Sequence, residues 1–208
     1  MDDAHDKPDA PEELPAIEFF SPGRFSIHNP DSEAPEPAAW EPAPFRLGEN
    51  EAIHRFSEPE AARAHALALM QQAQRSLCLL SSDLEPWLYH HSSIQQACTQ
   101  FLLAHPQNRL RILVRDSTRA VKEGHRLLNL SRRLSSHCQI RRINPDQPGS
   151  DQAFLLADRD GLLLRPDPGV PSGYAGYTLP RRVRPLQAEF DQAWDVSLSD
   201  PNLRSFLL

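Results

Sequence analysis

The chain has 208 residues, 24% of them charged, and a formal net charge of −6. That is length enough for one domain with an ordinary core, since about 150 residues bury roughly two-thirds of their unfolded surface. No apolar run approaches the ~18 residues that would span a bilayer, and the start, "MDDAHDKPDAPEEL", is acidic and lacks the apolar region of a secretion signal. The expected location is the cytoplasm, without membrane insertion.

Charge is unevenly spread. Residues 1–50 hold 12 of the 28 acids, nine of the 20 prolines and three bases (Lys7, Arg24 and Arg46); the rest of the chain holds 16 acids and 19 bases. A Pro-rich stretch of one charge sign buries too little apolar surface to offset its chain entropy. Residues 1–48 are therefore expected to form a disordered acidic tail, and residues 49–208 an α/β domain. Within that tail, "LPAIEFFSPGRF" and "AAWEPAPFRL" set Ile17, Phe19, Phe20, Trp40 and Phe45 in an acidic background. Short aromatic motifs of this kind dock in grooves, of a partner protein or of their own domain.

The domain begins with "SEPEAARAHALALMQQAQRS" from Ser57, which has an early Pro, acids in its first turn and small or apolar residues at helical spacing. "SLCLLSS" (76–82) is an apolar run of strand length. "SSIQQACTQFLLAHP" (92–106) predicts a second helix, closed by Pro106. In "RLRILVRD" (109–116), Leu110, Ile112 and Val114 alternate with arginines, as in a strand. "STRAVKEGHRLLNLSRRLSS" (117–136) has the pattern of one capped amphipathic helix, and "HCQIRRI" (137–143) that of a strand. "AFLLAD" and "GLLLR" follow as a hairpin around a tight Arg-Asp-Gly turn. "PRRVRPLQAEFDQAWDVSL" (180–198) places Leu186, Phe190 and Trp194 four residues apart on one helix. Alternation of this sort predicts an α/β fold, a mostly parallel or mixed sheet with helices on both faces. Cys78, Cys98 and Cys138 lie among apolar neighbours without pairing logic and are expected to be packed thiols.

This succession resembles half of a phospholipase D-like fold over about residues 55–198. "LCLLSSDL" occupies the place of its first strand and "RILVRD" that of a further one; "AEFDQAWDVS" is similar to its C-terminal helix. More narrowly, "RSLCLLSSDLEPWLY", "GHRLLNLSRRL", "FLLADRDGLLLR" and "EFDQAW" resemble an uncharacterised proteobacterial domain often found C-terminal to a GNAT-type acetyltransferase. No glycine-rich acyl-CoA loop occurs in this chain.

In active members of the superfamily the His of a His-x-Lys-x4-Asp motif attacks phosphorus, the Lys holds the phosphate oxygens and the Asp tunes the charge. Setting Asp158 at the motif's Asp puts Asp151 where the His would stand and Ala153 where the Lys would stand. Setting Asp160 there gives Ala153 and Leu155. Neither register supplies a nucleophile or a cation, so the resemblance implies a degenerate, non-catalytic domain with no catalytic residue and no phosphodiesterase activity. Asp158 is expected to open the hairpin turn, its carboxylate accepting backbone N–H bonds. Since single-motif members pair two copies around one site, a homodimer through that face is a further expectation. No cofactor or metal is expected, because no two of the nine histidines stand at metal-ligand spacing, and neither GxSxG nor a P-loop occurs.

Residues 109–142 carry ten bases against two acids, Asp116 and Glu123. If 117–136 is one helix, Arg119, Lys122, Arg126 and Arg133 share a face and could grip an anionic ligand or nucleic-acid phosphates. The leading expectation is a binding or adaptor module with a protein partner or anionic ligand. Nucleic-acid binding through the 109–142 face is one alternative, and an enzyme of the same fold with an altered site around Asp158 is another.

Overall fold

The computed structural model describes residues 38–49, 51–146 and 151–204. In chain order the elements are β1 (Ile53–Phe56), α1 (Pro59–Gln72), β2 (Ser76–Ser81), α2 (Pro86–Tyr89), α3 (Ser92–Ala104), β3 (Arg109–Val114), α4 (Thr118–Lys122), α5 (Arg126–Arg133), β4 (Cys138–Arg142), β5 (Ala153–Ala157), β6 (Gly161–Arg165), β7 (Gly173–Gly176), α6 (Pro180–Asp195) and α7 (Pro201–Arg204). The strands form one sheet in the order β1–β7–β6–β5–β2–β3–β4. The α/β class with a mixed sheet holds. Parallel pairing is confined to β2–β3 and β3–β4, and the remaining neighbours run antiparallel.

Alternation along the strands divides the core into two layers. Leu77 and Leu79, Leu110, Ile112 and Val114, Leu155 and Leu163 face α1, α3 and α5. On the opposite face Leu80, Leu113, Phe154, Leu156, Leu162 and Leu164 meet Val183, Phe190 and Trp194 of α6. The aromatic stripe expected on that helix is what docks it: Phe190 stacks on Trp194 with centroids 5.8 Å apart and meets Phe154 edge-on. Arg111 runs through this layer over both Phe190 and Trp194 and pairs with Asp191 at 2.8 Å. The three cysteines are buried and free, and burial pushes the Cys98 thiol up to about 12.

The single helix expected over 117–136 is two. Gly124 takes a left-handed φ of +62°, and the chain restarts at Arg126. A mid-helix Gly costs about 1 kcal/mol relative to Ala, and His125 offers a competing cap, its Nδ1 accepting the Leu127 N–H at 3.2 Å. His125 is thus a buried N-cap rather than a mid-helix residue. Burial and the neighbouring His90 hold its pKa down, to about 4.

Candidate functional site

Ligands of α/β sheets gather outside the carboxyl ends of the parallel strands. Here β2 and β3 end side by side, Ser81 opposite Val114. β5 runs antiparallel to β2, so the start of β5 lies at the same edge, and its Ala153 is the register partner of Arg165, the last residue of β6. Directly opposed residues share a sheet face. Arg165 therefore points with Leu163 toward the α1–α3 layer.

An arginine there must be paired, and the turn after β2 supplies the partner. Leu84 and Glu85 both take left-handed φ values, 64° and 37°, which swings the Glu85 carboxylate under the guanidinium. Arg165 Nη2 donates to Glu85 Oε1 at 2.5 Å and to the Pro168 carbonyl at 2.7 Å, while its Cζ lies 4.9 Å from the centre of the Trp87 ring. Arg165 is 0% and Glu85 4% exposed. Burial pushes the Glu85 carboxyl up to about 7 even though Arg165 pulls it the other way. Beside it, burial also raises Tyr89, with the Glu85 charge adding to the effect. Ser81, at the end of β2, is fully buried. The edge where chemistry would be placed is filled by a desolvated ion pair roofed by an indole, and the His125 imidazole beside Leu84 is buried, its Nδ1 accepting the Leu127 N–H.

Of the motif positions, Ala153 lies beside this pair and Asp158 does not. Ala153 presents a buried methyl opposite Arg165. The Asp151 side chain is 97% exposed, its carboxylate 3.8 Å from the Arg115 guanidinium. Asp158 lies at the far end of β5. Its backbone is left-handed (φ 55°), and its carboxylate accepts the backbone N–H groups of Gln74, Arg75 and Ser76 at 2.8, 2.8 and 2.9 Å. The expected acceptor role holds, with partners in the turn entering β2 rather than in its own hairpin. Bonds from N–H groups to a charged acceptor contribute about 1.5–3 kcal/mol each when buried, and less at a half-exposed site. Asp158→Ala is expected to lower stability by about 2 kcal/mol; equilibrium urea unfolding checks this, and Asp158→Asn should recover part of the loss.

The basic segment is not one face. The break at Gly124 separates Arg119 and Lys122 on α4 from Arg126 and Arg133 on α5. Arg119 bonds to Asp83 at 3.1 Å and Glu123 at 3.0 Å, and Arg126 donates to Gln95 Oε1 at 3.1 Å. Lys122 and Arg133 are exposed.

Of the tail residues, Ile17, Phe19 and Phe20 lie outside the described residues. Trp40 and Phe45 belong to a strap, residues 38–49, that lies against the domain, so the domain begins about ten residues before the boundary drawn from composition. The Trp40 ring stacks on His91 at 4.1 Å under the Arg63 guanidinium, and the Trp40 backbone N–H donates to Ser93 Oγ. Phe45 stacks on His54 at 3.7 Å, next to His65 and Tyr177. The Gln72 amide clamps the strap, accepting the Leu47 N–H at 2.8 Å and donating to the Phe45 carbonyl at 2.9 Å. His65 bonds to the Tyr177 hydroxyl, and burial lowers its pKa to about 4.

Sequence reasoning missed Glu85 and Arg165. The signal was an arginine closing the otherwise apolar strand "GLLLR", in line with a core leucine, with one acid set before "PW" in the loop after β2. Among the described residues no group of His, Cys, Asp and Glu could hold a metal ion, and no helix is long and apolar enough to cross a membrane.

Residues 58–206 match the model of a family described as a domain of unknown function (DUF7931). No curated protein matches. Among solved structures the chain is similar to TrmBL2, an archaeal chromatin protein with a novel mode of DNA binding, at 9% identity and a TM-score of 0.54; the match covers 74% of this chain and 56% of that one. It is also similar to Nuc from Salmonella typhimurium, a phospholipase D family member (12% identity, 70% of this chain and 94% of that chain, TM-score 0.47). NucT from Helicobacter pylori shows 7% identity over 72% of this chain and 98% of that chain, with a TM-score of 0.47.

Proposed function

The chain belongs to the DUF7931 family of domains of unknown function, and we propose that it is a phospholipase D-like domain without catalysis, acting as a binding or adaptor module. The observation that carries this reading is the filled carboxyl edge of the sheet. The strand and final Asp of the motif are kept, but Ala153 and Asp151 stand where a cation and a nucleophile are needed, and the Glu85–Arg165 pair occupies the space beside them. A carboxylate at position 151 repels a phosphate, and a methyl at 153 offers its oxygens nothing. Asp158 does not serve an altered active site, because both its oxygens are engaged by the backbone at the opposite end of β5.

Inorganic phosphate tests whether the edge is closed. A ligand that binds only the folded state raises stability by RT ln(1 + [L]/Kd). The expected result is no shift of the unfolding midpoint at millimolar phosphate beyond that produced by sulfate or chloride of equal ionic strength. A phosphate-specific rise that Arg165→Met removes would show an open anion site and overturn the reading. Nucleic-acid binding is the runner-up: the similarity to TrmBL2 lies in the fold, and the exposed bases Lys122, Arg133 and Arg142 remain, whereas Arg119 is neutralised by two carboxylates.

A further inference from the structure

The sheet ends at β4, and an edge strand offers its outward N–H and C=O groups to any chain that can pair with them. The register with β3 turns Gln139 and Arg141 inward to that partner and Cys138, Ile140 and Arg142 outward. Two of the outward residues are engaged: the Cys138 N–H donates to the Leu134 carbonyl, and Arg142 exchanges both bonds with Leu198, at 3.0 and 2.8 Å. Between them Ile140 keeps both backbone groups unpaired among the described residues. Leu198 thus starts an antiparallel neighbour for β4, but the chain turns away at Ser199 and Asp200 into Pro201. The turn leaves a groove of about 370 Å³ beside Gln139, Ile140 and Arg141, walled by Arg132 and Leu203.

Its lining is mixed, with Arg132 and Arg141 as the cations, Ile140 and Leu203 as the apolar part and serines between them. Leu198 and Val196 are 47% and 41% exposed beside it. Arg132 is held there by bonds to the Leu203 and Asn202 carbonyls, Arg141 lies over the Trp194 ring at 4.4 Å, and Arg142 is exposed at the end of the strand. Asp200 is the acid in the lining; its oxygens already accept the Ser117 hydroxyl and the Asn202 N–H.

We propose that this edge takes an extended acidic segment of a partner protein by strand addition. The segment would pair with Ile140 in line with Leu198, its alternate side chains falling on the two faces of the sheet, the apolar ones with Ile140 and Leu198 and the carboxylates with Arg141. Main-chain bonds supply affinity in this mode and alternate side chains supply specificity. A second copy of the chain does not fit, since it would bring the same arginines face to face. The inference gives the adaptor reading a class of partner, but it rests on β4 rather than on the filled edge; catalysis by this chain would end that reading and leave this one standing.

The probe is a fluorescein-labelled acetyl-Asp-Glu-Val-Glu-Ile-Glu-Val-Asp-amide, titrated with the full chain at physiological salt and followed by fluorescence anisotropy. Saturable binding is expected. Ile140→Pro should weaken it at least ~10-fold, since it deletes the outward N–H while the ladder to β3 uses Gln139 and Arg141. Arg141→Glu with Arg142→Glu should also weaken it. The same peptide N-methylated at every residue, which can donate no main-chain bond from either edge, should not bind the unaltered chain, so the test survives even if Ile140→Pro unfolds. Absence of saturation, or equal affinity for the N-methylated peptide, would overturn the proposal. So would a single-stranded oligonucleotide that displaces the peptide and binds a folded Ile140→Pro variant undiminished, which would assign the face to phosphates.

Discussion

Replacing Arg165 with Met is expected to cost about 3–5 kcal/mol, because it leaves a buried carboxylate without its cation. That is a large share of the roughly 5–15 kcal/mol that stabilises a domain. The loss is not the net worth of the pair, since desolvating both ions offsets most of their attraction. Adding Glu85→Gln to Arg165→Met should therefore recover much of the stability, as the remaining amide is neutral. The two effects are distinguishable by pH. Folding raises the Glu85 carboxyl from its ordinary 4.5 to about 7, so between those values the folded chain binds more protons than the unfolded one. The contribution of this group must then fall as pH rises through that window, by about 3 kcal/mol in all. Arg165→Met should steepen the fall, and Glu85→Gln should flatten it in either background. Urea unfolding across pH 4 to 8 measures both; a slope untouched by Glu85→Gln would show that another group carries it.

Removing residues 1–48 is expected to lower the unfolding midpoint by roughly 10 °C relative to removing residues 1–37, equivalent to about 4 kcal/mol at this size. The difference isolates the strap. It contains the buried Ala43, the stacked rings of Trp40 and Phe45, and the backbone bonds from Ala43 to Ala64 and from Gly48 to Tyr177. Phe45→Ala should reproduce the larger part of the loss and Trp40→Ala a smaller one, because Phe45 lies against the His54, His65 and Tyr177 cluster while Trp40 covers one imidazole. Equal midpoints for the two truncations would mean that the strap adds nothing to the stability of the domain. Thermal unfolding followed by circular dichroism suffices for the comparison.

The strap marks one limit of reading this chain from its sequence. Composition sees prolines and acids from residue 1 through the forties and has no means of seeing that Trp40 and Phe45 have imidazoles waiting in α1, in β1 and just before α3. The strands that alternate or run fully apolar, and the aromatic stripe of α6, were legible because burial on a known face fixes their period. Strands β1, "IHRF", and β7, "GYAG", carry no such pattern; each is held by its neighbours, β7 between β1 and β6. The basic helix failed on a single residue, Gly124, whose left-handed backbone divides a pattern that otherwise looks continuous. At the site, Asp158 could be assigned as an acceptor from its place before a turn. Glu85 could not be joined to Arg165, since they lie 80 residues apart and meet only because β5 and β6 fold back beside β2.

Under the proposed reading this domain keeps the scaffold of a phosphodiester site and none of its chemistry. Hydrolysis of bis(p-nitrophenyl) phosphate by the purified full chain, followed by release of nitrophenolate, tests it most directly. The expected result is a rate equal to that of buffer, unchanged by Asp151→Ala, Asp158→Ala or Glu85→Gln. Turnover above background that any one of those substitutions abolishes, in a variant that remains folded, would contradict it.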